Sequence, residues 1–207
     1  MRKMFMVLST MLLVVGCAAS STSKYGVERE VNKFQKNLIT VKMKGGVIDA
    51  DHLGTVVNAA KFNPVVIRSQ DGKIITTVIE FALEVTERAT DTSSGCLNIR
   101  NGSTASFLLN NGADRVVTKA IKGNIDTKVS AAMGTVYTTN YDSGIFYITP
   151  EQLKRIAYAN TVAVRVEGAT AYQDFPRQPN NHLVENFLPN FKTFYDTEVK
   201  PYINKKL

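Results

Sequence analysis

The sequence has no tryptophan and only two cysteines and two histidines among its 207 residues. It is therefore poor in the residue types that most often bind metals or act as nucleophiles and bases. A GxSxG motif, a phosphate-binding glycine loop and a CxxC pair are also absent. We accordingly expect no enzymatic activity, no metal site and no cofactor.

Charge is not concentrated at any one place in the chain. The sequence has 25 basic and 18 acidic residues, a formal net charge of +7, and most of the basic residues are scattered. A diffuse excess of this kind is typical of a solvated surface. We expect no nucleic-acid partner.

The first seventeen residues have the organisation of an export signal. Arg2 and Lys3 precede an apolar stretch over residues 4–15, which is shorter than the ~20 residues of a transmembrane helix. The stretch ends in Val14-Val15-Gly16-Cys17. This ending resembles the lipobox of bacterial lipoproteins, which implies cleavage between Gly16 and Cys17 and diacylglycerol on the Cys17 thiol.

The resemblance divides the chain into a signal peptide (residues 1–16), a lipidated N-terminus with a flexible tether (17–26) and one domain (27–207). Ala18 follows the lipidated cysteine, and in Gram-negative lipoproteins an Asp there commonly signals retention at the inner membrane. The resemblance therefore implies a lipid anchor in the outer membrane with the domain in the periplasm. An anchor in the cytoplasmic membrane is the alternative.

The hydrophobic pattern predicts an α+β fold, a mainly antiparallel sheet with several helices packed largely on one face. Helices are expected over residues 27–38 and 51–62, after Pro150 and in the tail. The predicted strands lie at 38–43, 64–69, 73–88, 96–100, 103–110 and 161–168, and a β-rich meander with turns at Gly123 and Gly144 covers 115–148.

Two smaller patterns refine these predictions. Asp71-Gly72 between β-branched runs predicts a hairpin, and in its second strand alternate residues should share a buried face. These are Ile75, Thr77, Ile79, Phe81, Leu83 and Val85. In the tail, an aromatic stripe at helical spacing is expected in the core: Phe187, Phe191, Phe194 and Tyr195.

Three sets of residues are candidates for chemistry or binding. Asp49, Asp51 and His52 could present ligands to a metal, although Asp51 as a helix cap is the simpler interpretation. Cys96 could act as a nucleophile with His52 or His182, or it could be a buried thiol. The loop 172–181 is expected to be irregular. It combines aromatic, Arg and Pro residues, and its candidate partner contacts are Tyr172, Phe175 and Arg177.

The sequence thus favours a membrane-anchored lipoprotein of the cell envelope that acts through contacts with an envelope protein. The alternative is a lipoprotein that binds a small ligand between helices and sheet. A hydrolase that uses Cys96 is the third hypothesis.

Overall fold

The structure, a computed structural model, describes residues 24–32, 35, 37–53, 56–88, 96–132, 134–177 and 185–203, with the backbone alone at 51–58 and 132. Ten strands and two α-helices follow one another along these residues. They are β1 Gly26–Val31, β2 Leu38–Lys44, β3 Val47–Leu53, β4 Val56–Ser69, β5 Ile74–Arg88, β6 Thr104–Leu109, β7 Asp114–Ala132, β8 Thr135–Tyr147, α1 Pro150–Ala157, β9 Val162–Glu167, β10 Tyr172–Phe175 and α2 Phe187–Phe194. A π-helical turn, Tyr195–Val199, and a 3-10 turn, Lys200–Tyr202, continue α2.

All ten strands belong to one antiparallel sheet. Its order is β1-β2-β4-β5-β8-β7-β6-β9-β10, and β3 pairs with the first half of β4. The predicted α+β fold class is wrong, because the described residues form a largely β fold with only two short α-helices.

The two helices predicted near the N-terminus are the main source of that error. Residues 26–31 form β1, which pairs with β2, and residues 47–53 and 56–69 form β3 and β4, with Asp51 inside β3 rather than at a helix cap. The apolar residues used for the prediction recur at three and four residues, and Val27 and Val31 are an example of the four-residue spacing. Because four is an even number, residues at this spacing also share one face of a strand.

The inner face of the sheet carries the core. Alternate residues of β5 point inward and are buried from Thr77 to Val85, as predicted. Ile75 is the exception, 53% exposed, because a bulge between β4 and β5 shifts the register next to it. Ile74 packs against the core in its place.

The helices cover one part of this inner face. Thr149 and Gln152 form a capping box at the start of α1, as the sequence predicts. The tail stripe is buried, which confirms its assignment to the core. Glu198 in the π-helical turn pairs with Arg29 of β1 and Arg68 of β4, so the end of the chain is bound to the beginning of the sheet.

The sheet curls until its two sides meet. β10 is the last strand of the order, yet the ring of Phe175 lies 6.2 Å from that of Phe62 in β4 and 6.0 Å from that of Phe81 in β5. Just beyond β10, Arg177 binds Asp49 of β3, with 2.5 Å between Nε and Oδ2. The sheet therefore encloses the aromatic core by side-chain contacts.

Residues 96–100, predicted as a strand, are instead a segment without regular secondary structure that crosses the sheet, with Asn98 at a positive φ of 58°. Asp142 of β8 is buried and accepts hydrogen bonds from the backbone N–H groups of Leu97 (2.6 Å) and Asn98 (3.1 Å). The segment runs so close to β7 that a Cβ added to Gly123 would lie 2.1 Å from the carbonyl oxygen of Ile99. Gly123 and Gly144 thus lie within long strands, at close approaches rather than at the predicted turns.

Candidate protein-binding face

The outer face of β9 and β10 is built by simple alternation. Val162, Val164 and Val166 of β9 are buried, so Ala163 and Arg165 point outward. β10 pairs with β9 in antiparallel fashion, and the two residues of each directly opposed pair lie on the same face of the sheet. This pairing creates an outer face whose side chains come from separate parts of the sequence.

Arg165 and Asp174 are directly opposite each other in this pairing. Nε and Nη2 of Arg165 donate hydrogen bonds to the two carboxylate oxygens of Asp174, and each donor–acceptor distance is 2.7 Å. The hydrogen bonds from Arg165 hold the pKa of Asp174 below its ordinary value. Such a bidentate pair fixes the guanidinium plane.

Tyr172 rests on that plane. The guanidinium carbon of Arg165 lies 4.6 Å from the centroid of the Tyr172 ring, a cation–π arrangement. The tyrosine is nevertheless 64% exposed. An aromatic ring that is exposed but held in place loses little side-chain entropy when a partner covers it.

A groove of about 360 Å³ lies beside this cluster. Leu108 of β6, Ala163 and Pro176 give it apolar walls, and Arg115 of β7 adds a cation. Leu108 is 40% exposed. The groove can therefore accept an apolar side chain of a partner.

Arg115 can also bind an acidic group. One of its terminal nitrogens donates a hydrogen bond to the hydroxyl of Ser106 at a distance of 2.9 Å. A guanidinium has five N–H donors, so this bond uses only one of them. Its backbone carbonyl accepts a hydrogen bond from Arg155, which also pairs with Asp114. We call the surface formed by Tyr172, Arg165, Asp174, Leu108, Ala163, Pro176 and Arg115 the β9–β10 face.

Of the three predicted contact residues, only Tyr172 lies on this face. Phe175 is 1% exposed and belongs to the core. The backbone N–H and the guanidinium of Arg177 both donate to the buried carboxylate of Asp49. Phe175 and Arg177 therefore close the sheet, and Tyr172 is the member available to a partner.

Cys96, the candidate nucleophile of the hydrolase hypothesis, lies within the described residues. It is half-buried, and burial followed by the charges of Asp142 and Glu87 raises the pKa of its thiol. A raised thiol pKa lowers the thiolate fraction, which is the opposite of what a nucleophilic cysteine needs. This environment does not favour a nucleophilic Cys96, and the side chains of its candidate bases, His52 and His182, lie outside the described residues.

The other predicted sites are only partly described. Asp49 is paired with Arg177, while His182, Gly16 and Cys17 and the side chains of Asp51 and His52 lie outside the described residues. In the part of the chain that the structure describes, no three His, Cys, Asp or Glu side chains are grouped as a metal would require. No helix in that part has the length and apolar character needed to cross a membrane.

Comparison with known proteins gives no relative for this chain: no family model, curated protein or solved structure matches it. The β9–β10 face is therefore interpreted from its own geometry.

Sequence reasoning missed most of this face. The alternation of residues 162–167 does place Arg165 outward, but its partner Asp174 lies in a stretch that was expected to be irregular. Leu108 and Arg115 come from a different hairpin. Their meeting depends on the pairing of β6 with β9, which no local pattern encodes.

Proposed function

We propose that this chain is a lipid-anchored protein of the cell envelope that has no catalytic role and binds another protein through its β9–β10 face. The lipobox resemblance at Cys17 supports the anchor, and Ala18 favours the outer membrane with the domain in the periplasm. The observation that carries the binding role is the exposed ring of Tyr172, held on the Arg165–Asp174 pair beside an apolar groove.

The chemistry of the β9–β10 face matches that of protein interfaces. Tyr and Arg are enriched at such interfaces, and tyrosines in well-packed positions often carry a large part of the binding energy. Leu108 and Ala163 form an apolar surface in the groove beside the Tyr172 ring. We therefore expect a partner that presents an apolar side chain to the groove and an acidic group to Arg115.

Site-specific crosslinking tests this function. A photoreactive phenylalanine analogue replaces Tyr172 in the full chain, which is expressed in cells and irradiated. We expect one dominant crosslinked protein, and we expect Leu108→Asp in the same chain to reduce the crosslinked yield at least tenfold, because it places a charge in the apolar groove.

Tyr158 provides the matched control. It is also an exposed tyrosine beside a cation, with Lys192 Nζ 5.0 Å from its ring centroid, but it follows α1 and contacts Tyr195 and Asp196 rather than the residues of the β9–β10 face. The same analogue at position 158 should capture little of that protein. Equal crosslinking from both positions, or none from position 172, would contradict the proposed binding role.

A further inference from the structure

β7 is longer than the strand that covers one of its two edges. β8 runs along one side of β7 from Lys119 to Ala132, whereas β6 pairs with the other side only from Asp114 to Lys119. Two hydrogen bonds between Ala120 and the turn before β6 end this coverage. From residue 121 onward, no described residue pairs with β7 on that side. We call residues 124–130 of this strand the β7 edge.

The β7 edge is accessible along its whole length. Every residue from 124 to 130 is exposed, and the two apolar ones, Ile125 and Val129, are 39% and 71% exposed. The unpaired backbone N–H and C=O groups of such an edge can pair with a strand of another chain. Because β8 holds β7 extended on the other side, an added strand meets backbone groups that are already in position.

The side chains of the β7 edge alternate between the two faces of the sheet. Ile125, Thr127 and Val129 share one face, and Asp126 and Lys128 share the other. In the described part of the chain, neither Asp126 nor Lys128 forms an ion pair. The edge therefore presents an apolar pair on one face and two unmatched charges of opposite sign on the other.

A second copy of the same edge complements this pattern. Two identical antiparallel strands related by a two-fold axis keep every side chain on its own face only when the axis passes the same residue of both copies. An axis at Thr127 places Asp126 directly opposite Lys128 of the second copy, and symmetry repeats this pair. The same register places Ile125 opposite Val129 of the second copy, also twice.

The neighbouring registers lack this match. An axis at Asp126 would oppose two aspartates, and an axis at Lys128 would oppose two lysines. An axis at Ile125 would place Lys122 opposite Lys128, and an axis at Val129 would leave both charges without a counter-charge. Directly opposed like charges destabilise a strand pair, whereas opposite charges and β-branched pairs stabilise it. The sequence of the edge therefore favours the register centred on Thr127.

We infer that the β7 edge is an interface between two copies of this chain, which pair antiparallel about Thr127 and join their sheets. The two Thr127 residues are directly opposed in this arrangement, and Thr–Thr pairs across strands are themselves favourable. The interface uses a part of β7 that β6 does not cover. It shares no residue with the β9–β10 face, so the inference is independent of the proposed binding role.

Crosslinking at the symmetry centre tests the inference. The full chain carrying Cys96→Ser and Thr127→Cys is expressed in cells and treated with a short bismaleimide reagent. We expect a covalent dimer of this chain, because the pairing places the two copies of residue 127 directly opposite each other. The chain with Cys96→Ser alone measures any crosslinking through Cys17.

Val117→Cys in the same Cys96→Ser chain is the matched control. Val117 is also exposed on β7, at 42%, but lies where β6 covers the edge. In the proposed pairing its two copies are about 65 Å apart at the rise of a β-strand, so we expect at least about tenfold less dimer than from position 127.

Two charge substitutions test the register. Asp126→Lys opposes two positive charges and Lys128→Asp opposes two negative charges, so each should reduce the dimer formed through position 127 at least about fivefold. When the two variants are coexpressed with different tags, every charge meets its opposite and the mixed dimer should form at the original yield. This recovery also shows that both variants are folded.

The possible contrary results are distinct. The absence of a dimer from position 127, a crosslinked product that contains a different protein, or equal dimer from positions 127 and 117 would each overturn the inference. A dimer yield that neither charge substitution changes, or one that coexpression does not restore, would overturn it as well, because the pairing about Thr127 requires both effects.

Discussion

At the scale of single residues, Asp142 is a carboxylate buried within the sheet. Its carboxylate is 2% exposed and accepts the backbone N–H groups of Leu97 and Asn98. Burial raises its pKa above the ordinary value of 3.8, while these hydrogen bonds act in the opposite direction. Asp142 thereby binds the segment 96–100 to β8 at the cost of holding a charge in the interior.

A pH series of unfolding measurements checks this account. Because the pKa is higher in the folded state, the folded protein binds more protons than the unfolded chain between pH 3.8 and the folded pKa. The free energy of unfolding should therefore fall as the pH rises through this interval. Asp142→Asn cannot titrate, so the difference between wild type and variant in urea unfolding should shrink with rising pH. Parallel pH profiles of the two proteins would contradict the assignment.

At the scale of elements, local signals predicted what local interactions determine. The helix start at Pro150, the Asp71-Gly72 hairpin and the strand predicted over residues 161–168 depend on residues close in sequence, and all three predictions are confirmed. Glycine was the misleading signal. Gly123 and Gly144 suggested turns, but the strands continue through them because the segment 96–100 lies against them.

Gly123→Ala tests the need for that close approach. Its Cβ would lie 2.1 Å from the carbonyl oxygen of Ile99, so the segment must shift. We expect a loss of about 1–3 kcal/mol in the free energy of unfolding, the usual cost of overpacking. Gly26→Ala in β1 is the matched control, since its Cβ would make only an ordinary 3.7 Å contact with Lys44. Equal effects of the two substitutions in denaturant titrations would refute the explanation.

At the scale of the whole molecule, the decisive feature is the meeting of β10 with β3 and β4. The sequence indicates that Phe175 and Arg177 are unusual, and their position in a Pro-rich stretch is compatible with a partner contact or with a crossover that holds the last helix on the sheet. Their contacts with Phe62 and Asp49 join residues more than a hundred positions apart. Such contacts follow from the curvature of the complete sheet, which explains why Tyr172 could be predicted for the β9–β10 face and the rest of that face could not.

Comparing two arginine substitutions measures the strength of this closure. Arg177→Ala removes the guanidinium that pairs with the carboxylate of Asp49, which is 3% exposed, and we expect a loss of about 3 kcal/mol. Arg165→Ala removes an equally well-formed but exposed pair with Asp174, and should cost at most about 1 kcal/mol. Thermal or urea unfolding of both variants gives the comparison. A larger loss for Arg165→Ala would show that Arg177 does not hold the sheet closed.

The strand order also determines how the chain can fold. β5 ends at Arg88, and its neighbour in the sheet, β8, begins only at Thr135. Until β8 has been made and placed, β5 has an open edge of unpaired backbone groups, the kind of edge through which chains aggregate. Pairings between strands so distant in sequence also form slowly. A chain that is made from its N-terminus therefore passes through a period in which its first five strands are incomplete and β5 has an open edge, and this interval is where a chaperone would act.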